Sequence, residues 1–157
     1  MFSGTFETET ALPEIAVRMG VAILLGGLIG LERELKDRPA GLRTNMMVSL
    51  ASATFTLLSA ELISESTEVS TVIRIDTLRI IEAVIAGVAF LGAGAIIRAG
   101  RDVRGLTTGA SLWMSGAIGV SCGGGFYVIA VTASLLALIV LYLLNLFENW
   151  LRESKTD

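Results

Sequence analysis

The sequence predicts an all-α, polytopic integral membrane protein with five transmembrane helices, its amino terminus outside the cell and its carboxyl terminus in the cytoplasm. Hydrophobic residues make up 53% of the 157 residues and charged residues only 17%, which leaves less polar surface than a water-soluble domain of this length needs. The mean hydropathy is +0.72. Long apolar runs alternate with short charged links, because charged side chains cannot follow the chain into hydrocarbon.

Five apolar runs in the sequence are long enough, or nearly so, to cross a bilayer, which takes roughly 17–25 residues. They occupy about 15–31, 46–63, 80–97, 106–122 and 126–147. Threonine and serine dilute the fourth run, and the glycine triplet at 123–125 predicts a tight turn into the fifth. The predicted organisation is an outer amino tail over 1–14, a five-helix membrane domain over 15–147 and a cytoplasmic tail over 148–157.

The basic residues predict the orientation of the helices. Nine of them lie in the first link, the third link and the carboxyl tail: Arg33, Lys36, Arg38, Arg43, Arg98, Arg101, Arg104, Arg152 and Lys155. On the opposite side the links hold only Arg74 and Arg79. Lysine and arginine accumulate in cytoplasmic links, so the first and third links are predicted to be cytoplasmic. The chain is accordingly expected to be a multi-pass membrane protein with its amino terminus outside and its carboxyl terminus in the cytoplasm.

Composition excludes several kinds of functional site. There is no histidine and a single cysteine, Cys122, so a zinc site of the Cys/His type and a Cys–His catalytic pair are excluded within one chain. The carboxylates of Glu14 and Glu82 both lie near the predicted outer surface, and no acidic residue lies at mid-membrane. We therefore expect no catalytic residue, no resident metal and no cofactor. The net charge of −3 and the absence of a basic run argue against a nucleic-acid partner.

Small residues recur at helical spacing and predict close helix packing, since they let backbones approach each other in lipid. Packing within one chain is the simpler interpretation, and a self-association face that makes a homo-oligomer is the alternative. The candidate packing residues are Gly26, Gly27, Gly30, Gly87, Gly92, Gly94, Ser111, Ser115 and Gly119.

Four segments of the chain resemble the membrane domain of the MgtC/SapB family. They are 26–34 (GGLIGLERE), 38–44 (RPAGLRT), 90–98 (FLGAGAIIR) and 103–113 (VRGLTTGASLW). The resemblance covers the first four predicted helices, with order and spacing preserved. It implies a bacterial inner-membrane protein associated with magnesium limitation or stress. Because the chain ends about ten residues after the fifth run, it is expected to be a short form of the family.

Two residues depart from the usual pattern of that family. Asn45 stands where members of the family usually have histidine, which removes a titratable group and puts in doubt any pH-sensing role that rests on it. Thr77 follows Asp76 where a proline is usual, and this change is milder, because proline aids helix initiation without being required.

The cytoplasmic arginines are the best candidates for a functional site. The guanidinium group suits recognition of phosphate or carboxylate, and the proline and glycine of the first link stiffen it. The candidate docking residues for another membrane protein or an anionic lipid are Arg33, Arg38, Pro39, Gly41, Arg43, Arg98 and Arg104. A simpler role is also open, in which these charges only orient the helices and touch lipid headgroups.

Two functions follow as alternatives. The first is a regulatory or interaction protein of the membrane. The second is an ion transporter or channel for magnesium or another cation, whose cytoplasmic vestibule would be lined by Thr44, Asn45, Thr107 and Thr108. An enzyme is not expected, because no nucleophile–base pair is visible. Near the outer surface, Arg18 is predicted to pair with Glu82 on the third helix. The alternative is local pairing, of Arg18 with Glu14 and of Arg79 with Glu82.

Overall fold

The computed structural model describes residues 8–67, 77–99 and 102–153, with side chains described except at 65–67, 77, 78, 80, 98, 99 and 144–153. Within these ranges the chain forms five α-helices and one two-stranded antiparallel hairpin. The helices are α1 (Leu12–Leu35), α2 (Leu42–Thr67), α3 (Thr77–Ala95), α4 (Leu106–Gly123) and α5 (Tyr127–Glu153). The hairpin consists of β1 (Ile97–Ala99) and β2 (Asp102–Arg104), with Arg98 opposite Val103.

Each predicted apolar run lies largely within a helix, so the prediction of an all-α fold is confirmed. Two of the described helical segments, Leu12–Leu35 and Leu42–Ser64, are long and apolar enough to cross a membrane. Shorter apolar helical segments follow at Ile81–Ala95 and Tyr127–Leu143.

The helix ends differ from the predicted boundaries. Helix α1 continues through the charged residues to Leu35, and α5 continues to Glu153, beyond the predicted end at 147. Backbone hydrogen bonding favours continuation of a helix whether its side chains are polar or apolar, so a change in polarity does not mark its end. The predicted run to Ile97 is wrong at its end, because Ile97 belongs to strand β1.

Helix α4 packs against all four other helices and forms the centre of the bundle. Helices α1 and α2 pack along each other as an antiparallel hairpin, whereas α2 and α3 have much less contact. One buried apolar cluster joins α1, α2, α4 and α5 and includes Ala22, Ala53, Ile118 and Ala130. A second cluster, around Val84, Val88 and Leu112, joins α3 to the centre of the bundle.

The distribution of polar and apolar residues is the reverse of that in a water-soluble bundle. The buried residues include Arg33, Asn45 and Thr108, together with several serines. Large apolar side chains such as Phe90 and Val128, in contrast, are about 80% exposed (79% and 81%). Small and polar residues between helices, with large apolar residues outside, are typical of helices that face lipid.

Candidate functional site

The link between α1 and α2 is held by a carboxylate of the preceding helix. The side chain of Glu34 accepts a hydrogen bond from the backbone N–H of Leu42 (3.0 Å), one of the otherwise unpaired donors of the first turn of α2. The Glu34 carboxylate lies against Gly41, so a Cβ atom there would displace this side chain from its hydrogen bond to Leu42. Glycine at 41 leaves room for the contact that holds this link.

Three arginines at this end of the bundle have exposed side chains. Arg38 and Arg43 flank the link, and Arg104 ends the hairpin between α3 and α4. We call Arg38, Arg43 and Arg104 the basic surface. Pro39 is also exposed beside Arg38. Arg98 belongs to β1, but its side chain and the whole of Arg101 lie outside the described residues.

Arg33 is predicted as a docking residue of the cytoplasmic arginine cluster, but the structure places its side chain inside the bundle. Its side chain is only 4% exposed, because α1 continues past it and turns it towards α4. The guanidinium Nη2 donates a hydrogen bond of 2.6 Å to the hydroxyl of Thr108. Its Nε atom is buried and has no hydrogen-bond partner among the described residues. Arg33 thus links two helices inside the bundle and presents nothing to a partner.

The four residues predicted to line a vestibule are divided by the structure. Thr44 and Thr107 are exposed, whereas Asn45 and Thr108 are buried (0% and 2% exposed). The latter two residues therefore line no opening, and the prediction is wrong for them. The alternation follows from helical geometry, since adjacent residues of a helix point in different directions.

Asn45 uses both ends of its amide. Its Nδ2 donates to the backbone carbonyls of Ala40 (2.6 Å) and Gly41 (3.0 Å). Its Oδ1 accepts a hydrogen bond from the hydroxyl of Ser115 on α4 (2.8 Å). An amide donates and accepts hydrogen bonds without a change of protonation. With asparagine in place of histidine, the contacts at this position do not depend on the protonation of the side chain.

The small-residue stripes on α1 and α4 pack against α2. A Cβ atom on Gly26 would lie 2.6 Å from Ser49 Cβ, and one on Gly119 only 2.1 Å from the Ser49 backbone oxygen. Gly30 and Gly27 approach Leu42 and Met46 of α2 in the same way.

Other predicted packing residues lie around α4. Gly92 contacts Gly109 across α3 and α4, and Ser115 bonds to Asn45. Ser111 donates to the Thr108 carbonyl (2.9 Å). Gly87 and Gly94 are predicted to pack as well, but a Cβ atom on either would meet nothing within 4 Å among the described residues. They do not pack against another described helix of this chain, and their place in a self-association face stays a prediction.

At the opposite end of the bundle, Arg18 forms the local ion pair. Its Nη2 contacts the carboxylate of Glu14, and its Nη1 donates to the Gly123 carbonyl (2.8 Å). Glu82 is exposed on α3, and the described ion pairs do not include one between Glu82 and Arg18. The structure thus contains the local alternative, and Arg18 additionally ties α1 to the end of α4.

Glu61 is a polar residue that the sequence reasoning missed. Its carboxylate accepts hydrogen bonds from the backbone N–H groups of Glu9 (2.7 Å) and Thr10 (3.0 Å) and from the Thr10 hydroxyl. It therefore fastens the residues that precede α1 to α2. No group of three or more acidic, histidine or cysteine residues in the described part of the chain could hold a metal ion.

A sequence signal for the buried polar residues existed. Gly26, Gly30 and Arg33 are spaced four and three residues apart, and Asn45, Ser49 and Ser52 repeat the same spacing on α2. Residues at these intervals share one helix face. The sequence does not show directly that Arg33 shares the face of Gly26 and Gly30, because Arg33 is charged and follows the end of the apolar run at residue 31.

The comparisons with known proteins agree with this sequence and architecture. The model of the MgtC family matches residues 19–150. The chain is 41% identical over 134 residues to Protein MgtC of Brucella abortus, a match that covers 85% of this chain and 52% of the relative. It is 40% identical over 128 residues to Protein SapB of Bacillus subtilis, covering 81% and 55%. An uncharacterized protein of Haemophilus influenzae is 39% identical over 134 residues, covering 85% and 56%.

The chain therefore spans about half the length of the curated relatives it matches. No solved structure matches it. With the family model extending from the middle of α1 to near the end of α5, and with the motifs around Arg33, Asn45 and Thr108 inside that range, this membrane-associated helical protein belongs to the MgtC family.

Proposed function

We propose that this chain is a multi-pass inner-membrane protein that acts under magnesium limitation or stress by binding another membrane protein or an anionic lipid at its basic surface. It crosses the membrane five times, with the amino terminus outside and the carboxyl terminus in the cytoplasm. Family membership supports the link to magnesium or stress. The excess of basic residues in alternate links supports the orientation.

The observation that carries an interaction role, as opposed to transport, is the closed centre of the bundle. Where α1 and α4 meet α2, the space beside Gly26 and Gly119 is too small for one additional carbon atom. Between these helices Ser115 bonds to Asn45 and Arg33 to Thr108, while the Ser49 hydroxyl is buried without a hydrogen-bond partner among the described residues. A conduit needs unoccupied volume, and the interface beside Gly26 and Gly119 offers none.

The basic surface, in contrast, is accessible and built on a fixed link. Glu34 and Asn45 hold the backbone from Ala40 to Leu42, and Arg38 and Arg43 lie on either side of that segment with exposed side chains. An arginine fork held in one place suits a carboxylate or a phosphate group. A surface of this kind recognises an acidic segment of a membrane protein or an anionic headgroup.

Complementation of growth in low magnesium tests this function, in a strain that depends on the protein. Arg38→Ala and Arg43→Ala should each reduce growth while the protein still inserts in normal amount. Lys36→Ala is the matched control, because it removes a positive charge from the same link at a residue outside the basic surface, one that forms an ion pair with Glu32 of α1. If all three variants grow as the wild type does, the basic surface is not the functional site. A loss in all three would assign the charges a role in orientation only.

A further inference from the structure

A long apolar groove runs between α2 and α3 on the face that α4 does not cover. It has a volume of ≈ 610 Å³ and is lined on one side by α2 residues from Val48 to Leu62 and on the other by α3 residues from Arg79 to Leu91. At 1.5 Å per residue, the α3 side measures about 18 Å. This is close to the depth of one leaflet of hydrocarbon, which is half of about 30 Å.

The walls of the groove are apolar over most of that length. Phe55, Leu58 and Leu91 contribute large side chains, and Gly87 leaves an open space. The lining also holds Ser52 and Ser59, and the hydroxyl of Ser52 donates its proton to the Val48 carbonyl of its own helix (2.8 Å).

One charged residue marks an end of the groove. Arg79 is exposed at the start of α3 and is the charged member of the described lining. An apolar channel that ends at a cation is complementary to an amphiphile with an apolar chain and an anionic head. A guanidinium group binds phosphate oxygens with two parallel hydrogen bonds.

The shape of the groove suits a hydrocarbon chain. A volume of ≈ 610 Å³ along about 18 Å has room for one extended chain. The cation at its end favours a lipid with an anionic head over an apolar protein helix.

We propose that this groove binds one acyl chain of an anionic phospholipid, with the phosphate of the headgroup at Arg79. The site is at the opposite end of the bundle from the basic surface and does not depend on its role. By filling the gap between α2 and α3, the lipid would complete the packing of α3, whose contact with α2 is otherwise slight.

Native mass spectrometry of the purified full-length chain tests the proposal, in micelles containing equal amounts of phosphatidylglycerol and phosphatidylcholine with identical chains. The wild type should retain one phosphatidylglycerol per protomer in preference to phosphatidylcholine. Arg79→Gln should reduce that preference about fivefold, the factor expected for loss of one arginine–headgroup contact, and Arg79→Lys should preserve most of it.

The acyl-chain part of the site is tested by a pair of glycine variants. Gly87→Leu fills the groove and should reduce retention of both lipids, whereas Gly94→Leu on the same helix lies outside the groove and should bind as the wild type does. Both positions have open space for a side chain, so both variants should fold. Unchanged retention by Gly87→Leu, or an unchanged preference in Arg79→Gln, would overturn the proposal. A lipid-free dimer that Gly87→Leu dissociates would overturn it in favour of a second copy.

Discussion

The guanidinium of Arg33 on α1 donates a hydrogen bond to the hydroxyl of Thr108 on α4, 75 residues further along the chain. This bond lies inside the bundle, next to the end that carries the basic surface. It ties α1, which precedes the link with Arg38, to α4, which follows the hairpin with Arg104. It also satisfies part of a buried charge, which would otherwise be costly to keep away from water.

Thr108→Val should destabilise the folded protein by about 1–2 kcal/mol, because it removes the acceptor of the Arg33 donor while keeping nearly the same shape. Thr108→Ser retains the hydroxyl and should cost less. The free energy of unfolding, measured by circular dichroism during denaturation in mixed micelles, checks both. Equal stability of the valine variant and the wild type would show that the bond contributes nothing.

Gly119→Ala should destabilise the protein by about 2 kcal/mol or more, because the added carbon would lie 2.1 Å from the Ser49 backbone oxygen and the helices would have to separate. Gly20→Ala on α1 is the control, since a Cβ atom there meets nothing within 4 Å. This control should be neutral or slightly stabilising, because alanine favours helix over glycine. The measurement is the same denaturation experiment, and similar losses in both variants would contradict the close packing.

A charge exchange between Arg18 and Glu82 distinguishes the local ion pair from an interhelical one. Arg18→Glu should lower stability, because it places a second carboxylate next to that of Glu14 and removes the hydrogen bond to the Gly123 carbonyl. Glu82→Arg should have little effect at its exposed position. The double variant should be as unstable as the sum of the single changes, and recovery in the double variant would indicate a pair that the structure does not contain.

Single-cysteine labelling tests the orientation of the helices. Cys122 is fully buried, so the wild type should react poorly with a membrane-impermeant maleimide and provide a silent background. Thr8→Cys should be labelled in intact spheroplasts, and Asp102→Cys, in the exposed hairpin, only after permeabilisation. The reverse pattern would invert the topology. Labelling of both positions from outside would contradict three crossings between them, because it requires an even number.

The sequence predicted the helices well because each needs a continuous apolar run, and the runs are separated by charges or by glycine. It did not predict the hairpin at 97–104, because a three-residue strand is too short to show alternation and its pairing depends on the helices on either side. Among the site residues, the exposure of Arg38, Arg43 and Arg104 followed from their position in links. The burial of Arg33 did not, because only the continuation of α1 decides which way this charged side chain points.

Asn45 and Gly87 show that residue type alone does not predict whether a residue faces a neighbouring helix or an open space. Polarity suggested that Asn45 faces an aqueous opening, yet its partners are carbonyls and a serine within the bundle. Small size suggested that Gly87 packs against a helix, yet it faces the groove. In both cases the residue type shows which contacts the residue can make, and the rotation of the helix about its axis decides which neighbours it meets.

Magnesium flux into sealed vesicles most directly tests the claim that this protein acts by binding and does not conduct ions. The full-length chain would be reconstituted in vesicles that contain a magnesium-sensitive dye, with a known magnesium channel as the positive control and empty vesicles as the blank. Because the bundle is closed around Gly26 and Gly119, we predict that magnesium enters these vesicles at the same rate as empty vesicles. Entry that rises with the amount of protein and saturates with magnesium concentration would contradict it.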